Sequence, residues 1–310
     1  MACKICQQFV LSVYLCKPSK GSQEAFAIMS HSGTLYVVAT PIGNLDDITL
    51  RAIETLQQVD LIAAEDTRHS KVLLQRLQIN TPMVSHHDFS SEQAIKQIID
   101  ELQQGKSIAL ISDAGTPLIS DPGYRLVSLA REQAIAVIPI PGPSAITAAL
   151  SVAGLPTDRF AFEGFLPSKS AARLARLHEL RFDTRSLIFY ESTHRIVSSI
   201  DDMQTEFGPQ RLLFVGRELT KKFETHFNGT ISDCLVWLQS DANQQKGEFV
   251  IIVAGSEVAS AQQQLQQDAL HLVARLREHL PMKTAVALAT ELTGAKKNAL
   301  YQLALEQERK

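Results

Sequence analysis

The side chains best suited to chemistry fall into three short clusters. The first is Glu65-Asp66-Thr67-Arg68, the second His86-His87-Asp88, and the third Arg217-Glu218-Leu219-Thr220-Lys221 with Glu191 upstream. A carboxylate, an imidazole or a neutral lysine within hydrogen-bond reach of a weakly acidic hydroxyl can take its proton. Glu65, Asp66 and Arg68 lead as catalytic candidates because they follow an apolar run directly. The same residues also suit a helix-capping, ion-paired turn, and the histidines suit a structural loop.

Three glycine- and proline-rich turns accompany these clusters: Pro41–Leu45, Ser112–Pro117 and Pro139–Ser144. Glycine lets the main chain approach a ligand without a Cβ, and proline fixes φ and removes a donor, so such turns bind mainly through backbone. Asp113 can receive a ligand amine or cap its own turn. The chain has neither the G-x-G-x-x-G of a dinucleotide fold nor the G-x-x-x-x-G-K-[ST] of a P-loop, which disfavours both.

Alternating strand and helix patterns position these residues. Strands are expected at 34–39, 59–64, 107–111 and 135–138. A helix capped by Asp46 or Asp47 carries the apolar face Ile48, Ala52, Ile53 and Leu56, and further helices fall at 70–77, 91–103, 124–131 and 144–152. Each turn then lies at the carboxyl end of a strand, where open α/β sheets bind ligands. After the Gly154-Leu155-Pro156 hinge, strands at 160–163, 186–190, 212–215 and 248–254, with helices at 171–180 and 195–207, make a second α/β domain. The end is helical, at 262–279, 283–291 and 295–306, and the Leu292-Thr293-Gly294 turn suggests a helix-turn-helix. The expected domains are 33–153, 154–258 and 259–310, after an extension at 1–32.

The 310 residues, 45% hydrophobic and 20% charged with net charge −3, describe an ordinary soluble protein rather than a globally basic nucleic-acid binder. The 261–310 segment is mildly basic. No apolar run approaches the roughly 20 residues that span a bilayer. Strong patterning begins after Met29, so 1–32 is expected to be a poorly ordered extension; it lacks the cleavage site of a secretory signal. Cys3, Cys6 and Cys16 fall one short of the four ligands of structural zinc, so no metal is expected, and the lack of a disulfide framework fits a reducing cytoplasm.

Taken together, Thr34-Leu35-Tyr36-Val37-Val38-Ala39-Thr40-Pro41-Ile42-Gly43-Asn44-Leu45-Asp46-Asp47, Ala64-Glu65-Asp66-Thr67-Arg68, Ser112-Asp113-Ala114-Gly115-Thr116-Pro117, Gly164-Phe165-Leu166-Pro167 and Arg217-Glu218-Leu219-Thr220-Lys221 resemble the tetrapyrrole methylase family. Within it they resemble the branch that methylates a cytidine 2′-hydroxyl in 16S rRNA. The resemblance implies two α/β domains of the tetrapyrrole methylase type with a cofactor cleft between them, plus a small helical module. It also implies S-adenosylmethionine as cofactor, 16S rRNA within the 30S subunit as partner, and a homodimer. Carried over, the cofactor contacts fall on Pro41, Ile42, Gly115, Thr116, Ile119, Ser144, Ala145, Tyr190, Gly247 and Glu248, with Asp113 a further candidate from its place in the turn. RNA contacts are expected from Lys169, Arg173 and Arg176, which helical spacing places on one face, and from Lys283, Lys296 and Lys297. A tetrapyrrole methyltransferase and a helix-turn-helix sensor of S-adenosylmethionine are the competing readings. The lysine-bearing helices count against the first, and the charged groups beside the turns against the second.

Overall fold

The computed structural model describes residues 33–87 and 90–308. The extension at 1–32, with Cys3, Cys6 and Cys16, and Asp88 of the histidine cluster lie outside the described residues. The chain forms two compact units, one running to Pro41 and resuming from Leu45 to Gly142, the other made of Ile42–Asn44 and the chain from Pro143 onward.

The first unit is a parallel sheet of β1 (Thr34–Val38), β2 (Leu61–Ala64), β3 (Met83–Ser85), β4 (Ile108–Ile111) and β5 (Ala136–Ile140), in the order β3-β2-β4-β1-β5. Its helices are α1 (Leu50–Gln58), α2 (Thr67–Arg76), α3 (Glu92–Gln103) and α4 (Tyr124–Glu132). The central strand β4 is buried along its whole length, because alternate residues enter two cores. Ile108 and Leu110 pack with Leu35, Leu102 and Leu126; Ala109 and Ile111 pack with Val38, Leu56 and Ile62. A strand covered on both faces reads as a continuous apolar run, which is why β4 was legible. Parallel strands also deliver the turns after β1, β2, β4 and β5 to one end of the sheet.

Three details correct the sequence reading. Thr49, not Asp46 or Asp47, caps α1: its hydroxyl accepts from the Ala52 N–H at 3.1 Å, while the two aspartates lie in a 3₁₀ turn. Strand β5 runs on through Pro139 to Ile140, so the turn begins at Pro141; β5 is an edge strand, where a missing donor is tolerated. Strand β3 was not anticipated.

In the second unit, β6 (Phe160–Phe165), β7 (Ser186–Ser192), β8 (Leu212–Arg217), β9 (Thr225–Thr230) and β10 (Glu248–Val253) form a mixed sheet in the order β6-β7-β10-β8-β9, parallel only between β6 and β7. Helices α6 (Ser170–Leu180), α7 (Ile196–Phe207) and α8 (Ile231–Ser240) contribute to a core around Phe189, Met203, Val215 and Ile251. Helix α5 (Ala145–Val152), assigned by sequence to the first domain, packs its Ala149 with Ile188, Phe214 and Ile252 of this sheet. Strand β9 and helix α8 have no counterpart among the elements expected from the sequence.

Helices α9 (Val258–Arg277), α10 (Met282–Thr293) and α11 (Lys297–Glu308) share a small core of Ala269, Val273, Val286, Ala289 and Leu300. Gly294 ends α10 in the left-handed conformation, φ 76°, donating its N–H to the Thr290 carbonyl at 2.9 Å, as the expected turn requires.

Candidate functional site

At the carboxyl end of the first sheet, the turns after β2 and β4 hold each other through their acidic residues. The Asp66 N–H donates to Asp113 Oδ1 at 3.1 Å, and the Asp113 N–H donates to Glu65 Oε2 at 3.3 Å. Asp113 thus ties one turn to the next, through its carboxylate and its N–H. The Asp66 carboxylate caps α2, accepting from the Arg68 N–H at 2.8 Å, and pairs with the Arg68 guanidinium at 2.7 Å. The Arg68 side-chain hydrogen bonds, reinforced by its backbone N–H and positive charge, hold Asp66 well below the usual carboxylate range. A carboxylate so stabilised is a weak proton acceptor.

The turn after β4 is fixed by main chain. Thr40 and Gly115 exchange both backbone hydrogen bonds, at 2.8 and 3.0 Å, and the Thr40 hydroxyl donates to the buried Ser112 carbonyl at 3.1 Å. Gly115 has φ 80°, followed by Leu118 at 75° and Ser120 at 63°. Left-handed backbone at residues with a Cβ is costly and persists where surrounding structure enforces it. Thr40 thus engages both polar backbone groups of Gly115, which fixes the path of the turn. Ile119 is 39% exposed on this loop. His86 is buried, with its N–H on the Ala64 carbonyl, and His87 donates its N–H to Ser90 Oγ at 2.8 Å, so both backbones build the loop after β3.

In the second unit, one apolar cluster brings together Ile42, Ala145, Tyr190 and Leu219, four residues from distant motifs. Tyr190 stands edge-on to the rings of Phe162 and Phe165, at 4.9 and 5.6 Å between centroids. Ser144 caps α5 without a side-chain bond to the helix. The ends of β7, β8 and β10 meet beside this cluster. Thr193, which sequence reasoning missed and no local pattern marks, clasps Gly247: its hydroxyl donates to the Gly247 carbonyl at 2.9 Å and accepts the Gly247 N–H at 2.8 Å.

The third candidate cluster divides. Glu191 is buried and saturated by Ser199 Oγ at 2.6 Å, Arg195 Nε at 2.8 Å and the Ser192 N–H at 2.8 Å. Arg217 is buried and bonded to the carbonyls of Lys246 and Phe223. Both side chains are held inward by protein partners. Lys221 Nζ lies 3.0 Å from Glu218 Oε1 and 2.8 Å from Glu248 Oε2, and Glu218 Oε1 also accepts the Glu248 N–H at 2.9 Å. Burial pushes Glu218 up, but the Glu248 N–H and Lys221 outweigh it and hold the carboxyl below its ordinary value. Burial likewise opposes charge on Lys221, and its bonds to Glu248 and Glu218 overcome that and raise its pKa. Lys221 is a cation here, which removes it as a neutral base.

The basic residues separate by burial. Lys169 is exposed, whereas Arg173 is 3% exposed with its Nε 2.6 Å from the Asp202 carboxylate, so it leaves the set of expected RNA contacts. A buried charge must be paired, and Arg173 is paired inward. Arg176 is bound to Glu163 and Glu179, both at 2.6 Å. Lys283, Lys296 and Lys297 are exposed on or beside α10 and α11. Among the described residues no group of His, Cys, Asp and Glu is placed to hold a metal ion, and no helix is long and apolar enough to cross a membrane.

Comparison with known proteins gives this geometry a context. Residues 34–234 match the family of tetrapyrrole (corrin/porphyrin) methylases, and residues 263–308 match the RsmI C-terminal HTH domain. The chain is 51% identical over 276 residues to the ribosomal RNA small subunit methyltransferase I of Escherichia coli O157:H7, covering 89% of this chain and 96% of that one. It is 50% identical over 279 residues to the protein of the same name from Pseudomonas aeruginosa, covering 90% and 99%. Among solved structures, the methyltransferase CobJ superposes with a TM-score of 0.54 at 17% identity, covering 72% of this chain and 95% of that one. Diphthine synthase superposes with the same score at 12% identity, covering 72% and 90%. The last two likenesses speak for the fold alone.

Proposed function

The chain belongs to the tetrapyrrole methylase family, and on that premise we propose that it transfers the methyl group of S-adenosylmethionine to the 2′-hydroxyl of a cytidine in 16S rRNA of the 30S subunit. The observation that carries this reading is the half-identity, over nearly nine tenths of the chain, to proteins named ribosomal RNA small subunit methyltransferase I. The separately matched helical module supports it, since a soluble macrocycle gives no reason for it. The protein is read as a cytoplasmic homodimer.

The residues present fit the cofactor by their chemistry. In the second unit Ile42, Ala145 and Tyr190 offer apolar surface for an adenine ring, and Ser144 and Gly247-Glu248 offer polar groups for the ribose and amino acid; in the first, Ile119 is apolar, Pro41, Asp113 and Thr116 carry polar groups, and Gly115 shapes their turn; the acidic residues suit a sulfonium cation. When bound, S-adenosylmethionine supplies an electrophilic methyl on a good leaving group, so alignment provides much of the rate. The acceptor hydroxyl must still lose a proton. Of the three leading candidates we assign that proton to Glu65, because Asp66 is held too strongly ionised by Arg68. Asp66 and Arg68 then orient the helix start beside it. Lys169, Arg176, Lys283, Lys296 and Lys297 position the RNA through phosphates.

The test offers labelled S-adenosylmethionine to 30S subunits and to uroporphyrinogen in parallel. Label on the rRNA alone is the expected result; label on the macrocycle overturns the reading.

A further inference from the structure

Gly43 is a glycine that its own backbone does not require. Its φ is outside the left-handed region, unlike that of Gly115 or Gly247. What excludes a side chain there is Lys221: a Cβ at Gly43 would overlap Lys221 Cγ and stand 3.0 Å from Cε. The lysine stem is laid flat across the Gly43 Cα. At its far end the ammonium is held between Glu218 and Glu248, so the stem cannot swing aside without breaking two ion pairs.

The chain is strained to hold this arrangement. Glu218 has φ 53° and Thr220 has φ 64°, both left-handed at residues with a Cβ. Gly247, with φ 107°, is packed under Glu218; a Cβ there would meet Glu218 Cγ at 2.5 Å and Oε1 at 2.7 Å. Two strained residues, two close-approach glycines and two carboxylates thus converge on one lysine. Strain of this kind is retained where it fixes a functional geometry. The segment being pressed is Ile42–Asn44, which is counted with the second unit and whose Ile42 joins the cluster of Ala145 and Tyr190.

We propose that Lys221 is a positioning residue for the cofactor site: its stem, anchored by Glu218 and Glu248, straps the Ile42–Asn44 turn into place through contact with Gly43. The inference rests on the reading of Ile42 as an S-adenosylmethionine contact. It makes a specific claim about two residues assigned no direct contact with the cofactor. An alanine at Gly43 needs no unusual backbone and acts only by displacing the lysine stem. Removing the stem should therefore make that alanine harmless.

The experiment is a double-substitution cycle on the full chain, read by calorimetric titration with S-adenosylmethionine and by steady-state methyl transfer to 30S subunits. Gly43→Ala and Lys221→Ala should each weaken cofactor binding by about tenfold to a hundredfold, the range lost when a positioned group shifts by about an ångström. The loss should appear in KM for the cofactor more than in kcat. In the Lys221→Ala background, adding Gly43→Ala should change affinity by less than about twofold, because no stem remains to displace. Equal penalties for Gly43→Ala in both backgrounds would overturn the strap, as would unchanged affinity in either single variant. Failure of the wild-type chain to bind S-adenosylmethionine would instead refute the cofactor reading, and the inference with it.

Discussion

Replacing Gly115 tests whether the turn after β4 shapes the cofactor site through its backbone path. The residue sits at φ 80°, and its N–H and carbonyl both bond to Thr40. An alanine forced into the left-handed region costs about 1–2 kcal/mol. The smaller entropy of the unfolded chain returns part of this, about 0.4–1 kcal/mol. Against that stand two backbone hydrogen bonds worth about 1 kcal/mol each. The balance favours the native turn for alanine, with a net destabilisation of about 1 kcal/mol. Valine is different, because a β-branched side chain at positive φ costs up to about 3 kcal/mol. That exceeds the bridge, so the turn lets go of Thr40 and the loss of stability is capped near 2 kcal/mol, the value of the bridge itself. Urea denaturation followed by calorimetry with S-adenosylmethionine separates these outcomes. Gly115→Ala should bind within a fewfold of wild type, and Gly115→Val should fold but not bind. Wild-type affinity in Gly115→Val would refute the reasoning, as would a loss of more than about 5 kcal/mol, which would make the bridge part of the global core.

Three further outcomes follow from the charges. Arg173→Ala strands the Asp202 carboxylate and should cost about 3 kcal/mol in urea unfolding, without changing the salt dependence of RNA binding. A changed salt slope would return Arg173 to the RNA contacts. Replacing Lys283, Lys296 and Lys297 together by glutamine should lower the slope of log affinity against log salt by about 2, at about 0.7 per phosphate on single-stranded RNA, and leave the melting temperature unaltered. An unchanged slope would remove the helical module from the interface. Asp66→Asn keeps the helix cap and loses the ion pair. Because the folded carboxyl is held below its unfolded value of 3.8, the wild-type advantage should be complete above that pH and shrink as pH falls beneath it. Melting curves from neutral to acid pH read it directly; a gap that widens in acid would contradict the assignment.

Much of the fold was legible because burial wrote it into residue type. Strand β4 and the faces of α1 and α3 are apolar at the spacing their surroundings demand. The omitted strands share one cause: β3 and β9 are short or polar edge strands, with no residue fully buried, and leave no apolar run to find. Helix α8 did leave a signal. Thr230 accepts the Asp233 N–H at 3.1 Å, a Thr-x-x-Asp start of the capping-box kind that was readable in the chain. In the site, the turns were legible from glycine and proline, but their partnerships were not. Nothing local says that Asp113 will bond Asp66, that Arg173 will turn inward to Asp202, or that Lys221 will lie across Gly43; each is a contact between segments far apart in the sequence, made only once strands and helices have packed.

The most direct test of the account is the chemical identity of the methylated nucleoside. Reaction with S-adenosylmethionine and 30S subunits, followed by alkaline hydrolysis and mass spectrometry of the 16S rRNA, should yield an alkali-resistant dinucleotide carrying 2′-O-methylcytidine. A methyl group found on a base, or on the ribose of a different nucleoside, would contradict it.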